Sequence, residues 1–160
     1  MTLTLTFTYL QVGLGTQRWV SDDSNAPDEA TCHKFIDKFI AKGGNLIDTA
    51  EQYPIPSSSK RPEGDTEKII GNYISKNKAS REKLVLSTKI TGGRNVNRAN
   101  IAKDLEGSLR RMQTDYVDVY LLHWPARYSP QSNWGQSLSY NQEMEKYYAP
   151  TPFEEIGDYM

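Results

Sequence analysis

The chain has 160 residues, with 19 Lys and Arg against 20 Asp and Glu, for a net charge of -1. That length suits one domain with a buried core, and the balanced charge supplies no basic excess for a nucleic-acid partner. No run of about 18 apolar residues is present to span a membrane.

Residues 1–10 alternate Leu3, Leu5, Phe7 and Tyr9 with threonines, a period of two that predicts a strand-like segment. A signal peptide needs a basic start and a continuous apolar stretch; this segment has neither, and the first arginine is Arg18. The single cysteine, Cys32, and the absence of an Asn-X-Ser/Thr sequon fit a reducing compartment, so a cytoplasmic location is expected.

From residue 11 the chain reads as repeated strand-then-helix units. A short extended piece ends in Gly13-Leu14-Gly15-Thr16. Residues 28–42 carry Ala30, Phe35, Ile36, Phe39 and Ile40 at helical spacing after Pro27, and Gly43-Gly44 stops the helix. Residues 45–49 read as a buried strand, and 53–65 as a loop rich in Pro, Ser and charge. A second helix starts near Thr66 with Ile69, Ile70, Tyr73 and Ile74 as its stripe. Residues 84–88 form the next strand. A third helix covers residues 98–112, with Ile101, Leu105, Leu109 and Met112 inward. Residues 116–122 are the last strand. A long loop follows to about residue 151, and Pro152-Phe153-Glu154-Glu155-Ile156 opens another helix. Alternating strands and helices predict a parallel α/β sheet, either open and doubly wound or a (β/α)8 barrel.

Asp48, Lys89 and His123 each fall at or just past the C-terminal end of a predicted strand, with gaps of 89 − 48 = 41 and 123 − 89 = 34 residues. Successive parallel strands bring them to one rim, where barrel enzymes gather catalytic groups. Tyr53 follows Asp48 closely enough to fold back over that rim. A phenol titrates near pH 10, and an ammonium lowers that value, so Lys89 is expected to tune Tyr53 downward while Asp48 holds Lys89. Tyr53 then serves as a general acid, and His123 donates a hydrogen bond to a carbonyl oxygen as charge develops there. Hydride must come from a nicotinamide or flavin.

Asp48-Thr49-Ala50-Glu51-Gln52-Tyr53 resembles the aldo-keto reductase signature that begins with the catalytic Asp and ends with the catalytic Tyr. Ser87-Thr88-Lys89 is similar to that family's lysine motif, and Leu121-Leu122-His123-Trp124-Pro125 to its histidine motif. Gly13-Leu14-Gly15-Thr16 is similar to the first-strand segment beside the nicotinamide, and Asp115-Tyr116-Val117-Asp118 also matches. The resemblance covers residues 11–160. It implies a (β/α)8 barrel and NADPH-dependent reduction of a small carbonyl substrate. It also implies nicotinamide contacts from Gly15, Thr16, Gln17 and Asp48, and substrate contacts from Trp19 and Trp124.

Departures accompany the resemblance. In the family a strand pair precedes the first barrel strand, where this chain has residues 1–10. A (β/α)8 barrel takes about 250 residues, and only 160 − 123 = 37 follow His123. The expected fold is therefore the N-terminal half of the barrel: four parallel strands and three full helices, truncated in helix four. The family holds the cofactor's phosphates and adenine mainly with its second half, so the chain alone is expected to be inactive. Its open sheet edges are expected to drive self-association.

Several of these residues admit rival readings. Asp48, Glu51 and His123 suit a metal, but Lys89 would repel a cation. Cys32 reads as a core thiol. Lys76, Lys78, Arg81 and Lys83 read as a solvated helix end. The loop bearing Trp124, Tyr128, Trp134, Tyr140, Tyr147, Tyr148 and Phe153 reads as a substrate-pocket wall in a complete barrel, with a disordered segment as the alternative. Two alternatives to catalysis stand beside it: a non-catalytic, cofactor-sensing or binding subunit of the same family, and a partial gene product without function.

Overall fold

A computed structural model of the chain describes residues 12–125, 128, 140–146 and 151–158. The strand-like segment at 1–10 and much of the aromatic loop, including Trp134, Tyr147 and Tyr148, lie outside the described residues.

The element order is β1 (Leu14–Gly15), α1 (Glu29–Ala41), β2 (Leu46–Asp48), α2 (Asp65–Lys76), β3 (Val85–Ile90), α3 (Arg98–Met112), β4 (Val119–Leu122), α4 (Gln142–Lys146) and α5 (Phe153–Gly157). The four strands form one parallel sheet in the order β1-β2-β3-β4. Chain order equals spatial order, as in the wall of a barrel. Helix starts follow from their caps: Asp28 accepts the Thr31 N–H at 2.8 Å, and Asn97 accepts those of Ala99 and Asn100 at 3.1 Å.

Strand side chains alternate between two environments. Ile47, Leu86 and Ile90 are fully buried. Ile47 and Leu86 join Ile36, Ile70, Tyr73 and Met112 in the main core, while Ile90 packs with Val96, Ile101 and Ile156. The opposite face carries Asp48, Ser87 and Lys89, then Val119 and Leu121, which are 37% and 40% exposed. That second face is the one a closed barrel turns inward.

Helices α2 and α3 touch through small residues. A Cβ on Gly71 would lie 2.2 Å from the Arg111 carbonyl oxygen. This close approach explains why the interface residues of α3 are Gly107, Ser108 and Met112, while Leu105 and Leu109, predicted to face inward, are only half-buried. Beside it, Glu67 is fully buried and pairs with Arg111 Nε at 2.6 Å; it also accepts from the Thr88 hydroxyl at 2.7 Å.

Arg81 corrects the solvated-helix-end reading. It is buried in a 3-10 turn, Lys78–Lys83, and donates to the Leu84 and Tyr116 carbonyls, to Thr114 Oγ1 and to Asp118 Oδ2 at 2.9–3.1 Å. Its guanidinium also lies 3.7 Å over the Tyr116 ring. Asp118 Oδ2 accepts the Leu86 N–H at 2.8 Å. The side chain thus occupies a place in the ladder where β4, predicted to begin at 116, has not yet formed.

Candidate active site

Three consecutive strands present the site. Asp48 closes β2, Lys89 is the penultimate residue of β3, and His123 follows β4 directly. Asp48 pairs with Ser87, and Lys89 with Leu121. The period-two alternation therefore brings Asp48, Ser87, Lys89 and His123 to one face at one rim.

Lys89 Nζ donates to Asp48 Oδ2 at 2.8 Å and to the Thr49 carbonyl at 2.7 Å, and its side chain is only 12% exposed. Ser87 Oγ donates to the other carboxylate oxygen of Asp48 at 3.3 Å. Tyr53 sits on the loop after β2, where its N–H bonds the Ala50 carbonyl. Its own carbonyl accepts the N–H groups of Gly64 and Thr66 at the start of α2, at 2.9 and 3.4 Å. Its side chain is buried, with the hydroxyl 3.5 Å from His123 Nε2 and the two rings edge-on at 5.6 Å between centroids. Lys89 Nζ is 5.1 Å from the Tyr53 ring centroid. The Trp124 ring stacks at a tilt on His123, 4.9 Å between centroids.

Burial lowers the His123 pKa to about 4, the Lys89 ammonium adds to that, and Asp48 opposes it. The ring is neutral at pH 7. Tyr53 departs from the expectation that Lys89 tunes it downward: burial, and secondly the Asp48 carboxylate, push it up. The physical reason is that Asp48 neutralises Lys89 at contact distance, leaving desolvation of the phenolate as the larger effect.

Residues 11–159 match the Aldo/keto reductase family model. The chain belongs to the aldo/keto reductase family. It is 43% identical to Protein tas of Escherichia coli over 129 residues and 35% identical to Aldo-keto reductase YhdN of Bacillus subtilis over 122. Each alignment takes in 72% of this chain, but the chain spans only about a third of those relatives, 35% and 34% of their lengths. Among solved structures it is similar to PA4992 of Pseudomonas aeruginosa, a protein assigned to the aldo-keto reductases. The TM-score is 0.56 at 26% identity, over 70% of this chain and 42% of that one. The fold is accordingly a four-stranded, helix-backed portion of the aldo/keto reductase barrel.

The four residues expected to form the site, Asp48, Tyr53, Lys89 and His123, stand together. The secondary contacts divide. Gly15 is exposed, in register with Asp48, and has no atom within 4 Å of where a Cβ would stand. Gln17 is exposed, with its carbonyl accepting the Ile55 N–H at 2.8 Å. Thr16 is fully buried and spends both its N–H and its hydroxyl on the Asp48 carbonyl, at 3.1 and 2.9 Å. It braces the strand end. Trp19, expected in the pocket wall, belongs to the main core, because the chain turns inward after Gln17.

The open strand end at Gly15, beside the carboxylate of Asp48, fits the edge of a flat ring such as a nicotinamide. His123 Nδ1 is buried without a hydrogen-bond partner among the described residues. Ser87 was missed by sequence reading, although its position two residues before Lys89 puts it on the same face. Gly92 lies in the turn just after β3. A Cβ there would lie 2.4 Å from the Trp124 ring, and the Gly93 N–H bonds the Pro125 carbonyl at 3.1 Å. The turn after β3 thereby seats the segment carrying His123 and Trp124.

Proposed function

We propose that this chain carries the proton-handling half of an NADPH-dependent reductase that converts small aldehydes or ketones to alcohols. The observation supporting it most is the Tyr53 hydroxyl beside a neutral His123, above a Lys89 pinned between Asp48 and Thr49.

In this reading a carbonyl oxygen lies between Tyr53 and His123. His123, kept uncharged by burial, offers a ring N–H to that oxygen without carrying a full charge into the pocket. Tyr53, kept protonated by its raised pKa, gives its proton to the oxygen as negative charge builds there. Lys89, with its ammonium 5.1 Å from the Tyr53 ring centroid, would stabilise the resulting phenolate, and its ion pair with Asp48 holds its side chain in place. NADPH, when bound, supplies the hydride. Gly15, Gln17 and Asp48 are the residues here that would hold its nicotinamide end, and the preference for the phosphorylated dinucleotide rests on family membership. Trp124, stacked on His123, would form one side of the substrate pocket. A cytoplasmic location is part of the same proposal, supported by a lone cysteine that is free and buried. Among the described residues no helix is long and apolar enough to cross a membrane.

The test is turnover of NADPH with a panel of aldehydes and ketones, using the complete protein that contains this segment. Tyr53→Phe is expected to lose about 10²–10⁴ in kcat while leaving NADPH affinity unchanged. Wild-type turnover by Tyr53→Phe, or no oxidation of NADPH with any carbonyl, would refute the reading.

A further inference from the structure

The function described above leaves Glu51 unused, although it lies between Asp48 and Tyr53. Its hydrogen bonds follow a ladder. From the β2–β3 register, parallel pairing continues past Asp48 with Thr49 N–H to the Ser87 carbonyl at 2.9 Å and Glu51 N–H to the Lys89 carbonyl at 3.3 Å. The next rung of such a ladder runs from the Thr91 N–H to the carbonyl of Glu51. The main chain cannot supply it, because it has already turned to bring Tyr53 back toward Ala50. The Glu51 carboxylate accepts that N–H instead, at 2.5 Å. It also receives Asn95 Nδ2 at 3.5 Å, and Asn95 is tied to Asp104 and Asn100 of α3 at 2.7 and 2.8 Å.

We propose that Glu51 is a positioning residue whose side chain completes the β2–β3 ladder where the backbone departs. It thereby fixes Tyr53 and the Thr49 carbonyl relative to Lys89. The inference rests on the roles given above to Tyr53 and Lys89. Its physical content is separate: a side-chain oxygen of the right reach lets the chain leave the sheet without stranding the half-buried Thr91 N–H without an acceptor. The turn that carries Tyr53 is held on one side by this clamp. On the other side it is held by the Gly64 and Thr66 N–H groups on the Tyr53 carbonyl.

Three substitutions in the full chain separate reach from charge. Glu51→Gln keeps an oxygen at the same distance without the charge. Glu51→Asp keeps the charge but is one methylene too short. Glu51→Ala removes both. The readouts are amide exchange of the peptide containing Thr91 and the rate at which tetranitromethane nitrates Tyr53, each mapped by mass spectrometry. Glu51→Gln is expected to match wild type in both. Glu51→Asp and Glu51→Ala are expected to expose the Thr91 amide and to nitrate Tyr53 several-fold faster. If Glu51→Ala does not fold, the contrast between Asp and Gln decides alone. Glu51→Asp behaving as wild type, or Glu51→Gln behaving as Glu51→Asp, would overturn the proposal. Neither readout involves turnover or cofactor, so a failed reductase assay with these results intact would refute the catalytic reading and leave the clamp standing.

Discussion

Arg111→Met isolates the most deeply buried charge in the described structure. Glu67 is fully inaccessible, and its carboxylate is satisfied by Arg111 Nε at 2.6 Å and the Thr88 hydroxyl at 2.7 Å. Deleting the guanidinium leaves that carboxylate with one neutral donor in a dry environment. Breaking a buried pair from one side costs about 3–5 kcal/mol, and the 26% exposure of the Arg111 side chain places the expectation at the lower end, about 3. Glu67→Met with Arg111→Met removes both charges but strands the Thr88 hydroxyl, for about 1–3 kcal/mol. Adding Thr88→Val removes that donor too and is expected to return stability to within about 1 kcal/mol of wild type, since buried pairs are often replaceable by apolar residues without loss. Urea unfolding followed by circular dichroism, at one fixed protein concentration, measures the series. A single variant costing under about 1 kcal/mol would place the pair in the class of surface ion pairs and refute the reasoning. So would a triple variant worse than the single.

Titration of His123 gives a second prediction. Its pKa falls from 6.5 when unfolded to about 4 in the fold, so the unfolded chain binds more protons between those values. The stability it contributes is complete above pH 6.5 and is lost as pH falls toward 4, an effect that solvent screening of the half-buried ring holds below about 3 kcal/mol. His123→Phe should flatten that part of the melting-temperature profile, and an unchanged profile would count against it. Gly71→Ala should cost about 1–3 kcal/mol by overpacking, because its Cβ meets the backbone of Arg111 and Met112 at 2.2–2.9 Å; thermal melts decide it. The 160-residue chain should bind NADPH more weakly than micromolar, about -8 kcal/mol, in a nicotinamide fluorescence titration, since among the described residues only the strand end at Gly15, Gln17 and Asp48 suits the dinucleotide. The apolar side chains of Val119 and Leu121, exposed on the sheet face, should make that chain run larger than a monomer in size-exclusion chromatography with light scattering.

Much of this architecture was legible in the residues. The bounds expected for α3, residues 98–112, match the structure because Ile101, Leu105, Leu109 and Met112 recur at helical spacing, and the Asn97 cap that fixes its start shows only in the fold. Asp48, Lys89 and His123 were brought together by their spacing, since each strand-helix unit returns the chain to the same rim. What escaped depended on distance or on competition between forces. The partner of Arg81, Asp118, lies 37 residues away, so a buried cation inside a run of basic residues gives no local sign of itself. Thr16 and Trp19 border the rim in sequence, yet the chain turns between them and buries both. The pKa of Tyr53 depended on the balance of desolvation against a lysine already paired, which residue types alone do not weigh. Glu51 was read as a possible metal ligand, and its hydrogen bond to the Thr91 amide follows only from where the main chain leaves the ladder.

The equality of chain order and spatial order in the sheet bears on how the site comes into being. Lys89 is separated from Asp48 by 41 positions and His123 from Tyr53 by 70, and each strand pairs with the one made just before it. A chain emerging in sequence can therefore dock β3 on β2 and close the Lys89–Asp48 contact before β4 exists, then receive His123 as the next strand arrives. Loop-closure entropy is met in short instalments of one unit each. The polar cluster at the rim would be assembled during synthesis, group by group, in the order in which the residues are translated.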